Sequence, residues 1–149
     1  MTINEFQIRL DICSGNELAV LKQHAYETGY GYMFIDSSNG QCYLLDKYGK
    51  QTDIHRVKRI SYGAFCNYKS LKNVIIPDSV KNIGNAVFWN CTSLESIIIP
   101  NSVKSIGDYA FYNCTSLKEV VFKGKTIDQV KAMDYYPWAI KDIRIIKCK

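Results

Sequence analysis

The sequence predicts a β-rich α/β fold, in which a short solenoid of stacked coils with a parallel sheet lies between an N-terminal and a C-terminal cap. The first observation is that residues 57–123 repeat themselves at an offset of 23 residues, a period typical of solenoids. The second is that every copy carries the apolar pattern of a short β-strand. The third is that neither flank continues the repeat, although a stack of coils exposes two apolar ends that need covers.

The repeat is carried by several independent sets of residues. The string Asn-Cys-Thr-Ser-Leu at 90–94 recurs at 113–117, and Ile-Ile-Pro at 75–77 recurs at 98–100. Three further sets coincide at the same offset: Val57, Val80 and Val103; Phe65, Phe88 and Phe111; Leu71, Leu94 and Leu117. One coil cannot bury its own apolar face, so the coils must stack on one another.

Each copy of the repeat predicts one strand, which begins shortly after the leucine that recurs at the 23-residue offset (Leu71, Leu94 or Leu117). In the first strand, Val74 and Ile76 should point into the core while Asn73 and Ile75 point outward, because side chains in a strand alternate between faces. Pro77 has no backbone N–H to donate to a sheet and therefore fits the end of the strand. Equivalent strands of successive coils should lie about 4.8 Å apart in a parallel sheet.

The second copy resembles a known family. It reads Ile83-Gly84-x-Ala86-x-Phe88-x-Asn90-Cys91-Thr92-Ser93-Leu94-x-x-Ile97-x-Ile99-Pro100-x-Ser102-Val103, which is similar to the BspA-type leucine-rich repeat. The first copy departs from this pattern, since it lacks the glycine after Ile60 and has Tyr68 where the later copies have cysteine. The resemblance implies a right-handed solenoid with one strand per coil, a role in adhesion or protein interaction, and no catalytic residues.

Residues 1–55 predict a β-α-β-β segment that is either a cap or a small domain of its own. Apolar and polar residues alternate over 6–12, as in a half-buried strand. A helix is predicted over 17–26, ending near Gly29. The runs 30–36 and 41–46 flank an Asn-Gly pair, which predicts a hairpin.

Residues 124–149 predict a C-terminal cap that follows the repeats of residues 56–123. Thr126 and Gln129 have the spacing of a capping box, so a short helix should run to about Tyr135 and be broken by Pro137. Apolar cover and a last strand are expected from Trp138, Ile140, Ile143, Ile145 and Ile146.

Composition limits the classes of protein. No apolar run approaches the roughly 20 residues that span a bilayer, and the N-terminus does not have the pattern of a signal peptide. A cytoplasmic location is therefore expected, or an extracellular or surface one if a leader has been removed.

The six cysteines form no CxxC pair, which disfavours zinc and redox sites. Cys91 and Cys114 are expected to form a column of buried structural thiols.

Catalysis has little support in the sequence. His24 and His55 lie in different segments, and no local signature pairs either with a nucleophile. The sequence therefore predicts a protein that is not an enzyme, with no metal and no cofactor.

The outward positions of the strands predict a surface that binds a protein. Asn73, Ser96 and Glu119 should form one column, and Ile75, Ile98 and Val121 the next. Aliphatic residues side by side on an exposed face indicate an interaction site, although strand propensity, a covering segment or a second subunit would also explain them. Trp89 and Tyr112 occupy equivalent positions and are a candidate aromatic anchor.

A column of three lysines predicts an alternative, anionic ligand. It consists of Lys58, Lys81 and Lys104. Residues 1–55 carry a net charge of −3 and residues 56–149 one of +8, which favours an acidic protein, glycan or phosphate for the repeats. Nucleic acid is disfavoured because no aromatic stacking platform or known module accompanies the lysines.

Three further hypotheses stay open at the level of the sequence. The chain could be encoded by a phage or mobile element and inhibit a host protein. The N-terminal segment could carry an activity that the repeats only target. Self-association is also open, because short open ends and apolar columns favour it.

Overall fold

The structure is a computed structural model that describes residues 2, 4–5, 25–46 and 48–149. The strand predicted over 6–12 and most of the helix predicted over 17–26 lie outside these residues. Within the described part of the chain, three sheets are stacked on one continuous hydrophobic core.

The N-terminal sheet is an antiparallel meander. It consists of β1 (Ala25–Thr28), β2 (Gly31–Ile35), β3 (Cys42–Leu45) and β4 (Gln51–Thr52). The predicted hairpin is confirmed, because β2 and β3 pair with Ile35 opposite Cys42. The predicted end of the helix is wrong: residues 25 and 26 belong to β1, whose pairing with Phe34 and Met33 in β2 overrides the helical pattern.

Two parallel sheets build the solenoid. The first contains β5 (Arg59–Ile60), β7 (Asn82–Ile83) and β9 (Ser105–Ile106). The second contains β6 (Asn73–Ile75), β8 (Ser96–Ile99), β10 (Glu119–Phe122) and β11 (Ile146–Cys148). The parallel solenoid is thus confirmed, and each repeating coil carries two short strands where the sequence predicts one.

The second strand of each coil forms because the backbones of adjacent coils meet closely after the turn. Lys81 N–H donates to the Lys58 carbonyl and Lys104 N–H to the Lys81 carbonyl, both at 2.8 Å. The neighbouring Ile60, Ile83 and Ile106 are all buried. These coil-to-coil bonds keep the lysines and isoleucines in register over the stack.

The core is a stack of equivalent side chains. The rings of Phe65 and Phe88 are 6.1 Å apart with an interplanar angle of 12°, and those of Phe88 and Phe111 are 5.9 Å apart at 8°. Val74 and Ile76 are buried, whereas Asn73 is exposed and Ile75 half-buried. The predicted alternation along the strand is therefore confirmed.

The N-terminal sheet closes one end of the stack and explains where the first coil departs from the repeat. The Tyr68 hydroxyl donates to the Ile35 carbonyl at 3.1 Å, and the hydroxyls of Tyr26 and Ser61 are 2.8 Å apart. Ser61 stands where the later coils have glycine. Tyr68 and Ser61, the two residues at which the first coil differs from the later coils, therefore bond to the N-terminal sheet.

Residues 124–149 pack against the last coil at the other end of the stack. Helix α1 (Ile127–Lys131) begins with the predicted capping box of Thr126 and Gln129. It is shorter than predicted because Asp134 and its neighbours turn to seat Trp138, whose indole donates to the Asp134 carbonyl at 3.0 Å. Trp138 is fully buried, 5.6 Å from the ring of Phe122.

An ion-pair bridge joins the start of the solenoid to the second coil. His55 lies in a single 3-10 turn, Ile54–Arg56, between two carboxylates. Its Nδ1 is 2.9 Å from Asp53 Oδ1, and its Nε2 is 2.9 Å from Asp78 Oδ1. The hydrogen bond with Asp53, followed by the charges of Asp53 and Asp78, raises the pKa of His55.

We expect this bridge to make stability depend on pH. The folded-state pKa of His55 lies above the unfolded value of about 6.5. Its stabilising effect is therefore complete below about pH 6 and is lost as the pH rises through the folded pKa. Urea unfolding should show a lower free energy of unfolding at about pH 8 than at about pH 6, and His55→Gln should flatten this slope. An unchanged slope in His55→Gln would contradict the bridge.

Candidate partner-binding surfaces

The strand face is the outward side of β6, β8 and β10. Most hydrogen-bonding groups of its polar column, Asn73, Ser96 and Glu119, already bond within the chain. Ser96 Oγ donates to Asn73 Oδ1 at 2.7 Å. Glu119 forms an ion pair with Lys149, at 2.9 Å between Oε1 and Nζ. The column therefore exists as the sequence predicts, in the register Asn73–Ser96–Glu119, but the Asn73 carbonyl oxygen, the Ser96 hydroxyl and the Glu119 carboxylate already have partners within the chain.

The apolar column of the strand face is narrower than the sequence predicts. Ile75, Ile98 and Val121 are in register, but Ile75 and Ile98 are half-buried. Val121 is only 5% exposed, so its expected place on an open face is wrong. The physical reason is β11, which adds a strand beside β10 and places Lys147 next to Val121.

Three aromatic rings form a compact cluster at the turns of the second and third coils. Trp89 and Tyr112, as predicted, lie together, with ring centroids 4.2 Å apart. Tyr109 joins them at 5.7 Å from Trp89 and 5.9 Å from Tyr112. Tyr109 and Tyr112 are 49% and 42% exposed. We call Trp89, Tyr109 and Tyr112 the aromatic cluster.

Tyr109 is not among the residues predicted from the sequence, although the repeat contains a signal for it. Its equivalents in the first two coils are Gly63 and Ala86, and all three residues adopt the left-handed conformation, with φ of 61°, 55° and 56° in chain order. A bulky side chain at such a φ is strained by roughly 1–2 kcal/mol. A tyrosine at a position suited to glycine therefore indicates a use for its ring.

An asparagine ladder runs beside the aromatic cluster. Asn90 Nδ2 donates to Asn67 Oδ1 at 2.8 Å, and Asn113 Nδ2 donates to Asn90 Oδ1 at 2.6 Å. These residues directly follow the positions of Cys66, Trp89 and Tyr112 in the chain. The ladder fixes the spacing of adjacent coils and so holds the rings in place.

The lysine column is in place and exposed. The backbones of Lys58, Lys81 and Lys104 are in register, and all three side chains are exposed. Lys125 lies at its end and donates to the carbonyl oxygen of Asn101 at 2.9 Å. Partial burial, together with the charge of Lys104, lowers the pKa of Lys125.

The repeated cysteines are structural thiols. Cys91 Sγ lies 3.2 Å from the Phe65 carbonyl and Cys114 Sγ 3.1 Å from the Phe88 carbonyl, both as donors. Neither is in a disulfide. Burial raises the pKa of Cys91 and that of Cys114, the latter to about 12. Such thiols are protonated at neutral pH, and this makes them poor nucleophiles.

Cys42 has the same character at the N-terminal cap. It donates to the Ile75 carbonyl at 3.4 Å, and burial raises its pKa to about 12. No three His, Cys, Asp or Glu side chains of residues 25–46 and 48–149 come together as a metal-binding group. No described helix is both long and apolar enough to cross a membrane.

Known proteins of similar sequence or structure indicate the class of protein to which this fold belongs. No curated protein matches the chain. A leucine-rich cell surface protein of Faecalibacterium prausnitzii A2-165, known from its crystal structure, is similar to it, with 32% sequence identity and a TM-score of 0.51. The similarity covers 54% of this chain and 21% of that protein, so the matched part of the chain spans about a fifth of that protein's length.

The family profile described as the BspA type leucine-rich repeat region, with six copies, matches residues 48–147. This match extends on both sides of the segment 57–123, in which the sequence visibly repeats. It takes in the 3-10 turn of His55 at one end, and α1 and β11 at the other. The chain belongs to the BspA-type leucine-rich repeat family.

Proposed function

We propose that the chain is a non-enzymatic module that binds another protein, and that the aromatic cluster is the centre of its binding surface. The observation that carries the proposal is the mutual contact of three partly exposed rings from two adjacent coils. Tryptophan and tyrosine are the residues that most often dominate protein interfaces. The family's general role in protein interaction is consistent with this function.

The surroundings of the cluster fit the usual anatomy of an interface. Protein interfaces combine an apolar centre with a polar rim, and the exposed Asn67 and Asn113 of the ladder supply polar groups beside the rings. Side chains that are already ordered lose less entropy when they bind. The ladder and the ring contacts order the cluster before a partner arrives.

The strained backbone of Tyr109 supports the same surface. Gly63 shows that the coil accepts glycine at this position, with almost the same φ. A tyrosine here costs stability and exposes about half of its ring. Partner binding would offset that cost, because it buries the rings of Tyr109 and Tyr112 together.

The lysine column is a second candidate, which would take an anionic ligand such as an acidic protein segment or an acidic glycan. Its support is the exposure of three lysines in register. Contacts of this kind weaken steeply as salt rises, because exposed charges are screened. The strand face is a weaker candidate, since its polar groups bond to one another and its apolar column is half covered.

We propose the cell surface as one setting for this binding. The similar solved structure is described as a cell surface protein. This favours a surface location over the cytoplasmic one that the sequence predicts. The proposal can be tested by separating surface and soluble fractions of the organism that encodes the chain.

The test is affinity capture with matched variants. The full chain and its Trp89→Ala, Tyr112→Ala and Tyr62→Ala variants are immobilised, and proteins retained from each fraction are identified and their affinities measured. Each cluster variant should weaken the specific complex by about tenfold or more, since hot-spot residues contribute about 2 kcal/mol or more. Tyr62→Ala is the control, because Tyr62 is 78% exposed and is not in the cluster.

Two results of this capture experiment would contradict the aromatic surface. One is equal capture by wild type, Trp89→Ala and Tyr112→Ala. The other is a complex that is lost in Lys81→Glu and falls steeply between about 50 and 200 mM salt, which would assign binding to the lysine column.

A further inference from the structure

A groove of about 350 Å³ is lined by residues of the short strands β5, β7 and β9, and its lining includes no residue of the aromatic cluster. Its lining includes the side chains of six polar or aromatic residues: Arg59, Tyr62, Asn82, Asn85, Asp134 and Tyr135. The backbones of Gly84 and Gly107 form part of the floor. We call this the second-sheet groove.

The floor of the groove presents amide donors. Ser105 Oγ donates to Asn82 Oδ1 at 2.6 Å, and Asp108 N–H donates to Asn85 Oδ1 at 2.8 Å. Each of these two bonds uses the carbonyl oxygen of the asparagine side chain as its acceptor and so fixes the orientation of the amide. Each Nδ2 group is left with no acceptor among the described residues, and is available to a ligand.

Opposite charges stand at the two ends. Arg59 belongs to the first coil, whereas Asp134 follows α1 after the last coil. Two interstrand spacings separate β5 from β9, or about 10 Å. Within the part of the chain that the structure describes, neither the Arg59 guanidinium nor the Asp134 carboxylate bonds to another side chain. The groove thus offers donors at one end and acceptors at the other.

A tyrosine stands at each end as well. Tyr62 is 78% exposed and Tyr135 is 59% exposed. Tyr135 has a φ of 63°, which places a bulky residue in a conformation that favours glycine. Both tyrosines line the groove, so it combines aromatic rings with polar groups.

We propose that the second-sheet groove binds a short neutral oligosaccharide, a ligand independent of the protein partner proposed above. Sugar hydroxyls donate and accept hydrogen bonds, as the amides, guanidinium and carboxylate of the groove require. The C–H faces of sugar rings are apolar and stack on aromatic side chains. A sugar ring is about as wide as one interstrand spacing, about 4.8 Å, so a di- or trisaccharide matches the two spacings from β5 to β9.

The composition of the groove disfavours other classes of ligand. Bound peptides place alternate side chains in pockets, and the floor here is glycine backbone and amide groups. A phosphate or acidic glycan would meet the Asp134 carboxylate at one end of the groove. A neutral sugar can donate hydrogen bonds to the Asp134 carboxylate and accept them from the Arg59 guanidinium and the asparagine amides, and it adds no charge that either ionised group would repel.

Titration of the full chain with three neutral trisaccharides tests the proposal. Maltotriose, cellotriose and triacetylchitotriose are added separately, with binding followed by saturation-transfer NMR and calorimetry. At least one should bind with a Kd of about 1 mM or lower. Tyr62→Ala and Tyr135→Ala should each raise that Kd by about tenfold, and Asn82→Ala should raise it as well. Tyr112→Ala, in the aromatic cluster, should leave it unchanged.

Several results would overturn the proposal. They are no binding of any of the three sugars at about 10 mM, a Kd unchanged in Tyr62→Ala, or a Kd equally raised in Tyr112→Ala. Circular dichroism of each variant confirms that the fold is kept, which the exposure of the replaced tyrosines favours. Loss of sugar binding in the groove variants with intact protein capture separates this site from the proposed function.

Discussion

Phe88→Ala is expected to lower the free energy of unfolding by about 3–5 kcal/mol. Phe88 is fully buried, and its ring is stacked on both sides, against Phe65 and Phe111. The truncation therefore removes the contact between the first and second coils and that between the second and third. In a solenoid, stability is largely the sum of such nearest-neighbour contacts. The midpoint of thermal unfolding should fall by roughly 6–20 °C.

Tyr62→Ala is the matched control for this substitution, because it also truncates an aromatic ring of the coils. Tyr62 is 78% exposed, so its loss should change the free energy of unfolding by less than about 0.5 kcal/mol. Urea and thermal unfolding of both variants measure the difference. Equal stability of Phe88→Ala and Tyr62→Ala would contradict the stacked core.

Gly107→Ala is expected to destabilise the chain by about 3 kcal/mol, at the upper end for overpacking. A Cβ atom at Gly107 would collide with the backbone nitrogen of Asn85 and with the carbonyl carbon of Gly84. Backbone cannot rotate away as a side chain can, so the second and third coils must separate. That separation also lengthens the bond from Gly107 N–H to the Ile83 carbonyl, which is 2.8 Å long.

Gly29→Ala supplies the control for the glycine, since nothing lies within 4 Å of a Cβ added there. Its effect on the free energy of unfolding should be within about 0.5 kcal/mol of zero. Thermal unfolding of the two variants compares the same chemical change in a crowded and an open position. A Gly107→Ala variant as stable as Gly29→Ala would show that the coils are not in close contact.

The solenoid could be predicted from the sequence because each coil repeats the same pattern of buried apolar residues. Val74, Ile97 and Val120 recur at one offset, and strands built from such copies pair with one another in register. The same 23-residue offset correctly predicts the stacked phenylalanines and the cysteine column. Periodicity carries this information even though the partners are distant in the chain.

The departures of the first coil became interpretable only with the structure. The serine after Ile60 and the tyrosine at position 68 look like weak matches to the repeat. They bond instead to Tyr26 and to the Ile35 carbonyl of the N-terminal sheet. A repeat pattern cannot describe contacts with a segment that is not a repeat, so these bonds could not be predicted from the sequence.

The candidate site was predicted only in part for the same reason. Trp89 and Tyr112 are equivalent in the repeat and were expected together, whereas Tyr109 occupies a different repeat position and joins them through the turn. The burial of Val121 depends on β11, which comes from the C-terminal cap. The second-sheet groove likewise combines residues of the coils with Asp134 and Tyr135, and no periodicity links those parts.

Backbone hydrogen exchange of the captured complex shows directly whether a partner protein binds at the aromatic cluster. Exchange is measured on the chain alone and with its captured partner. We expect added protection concentrated in residues 86–90 and 109–113, the turns that carry Trp89, Tyr109 and Tyr112. Protection confined to the strands β6, β8 and β10, or to the lysine column, with unchanged exchange in those turns, would contradict it.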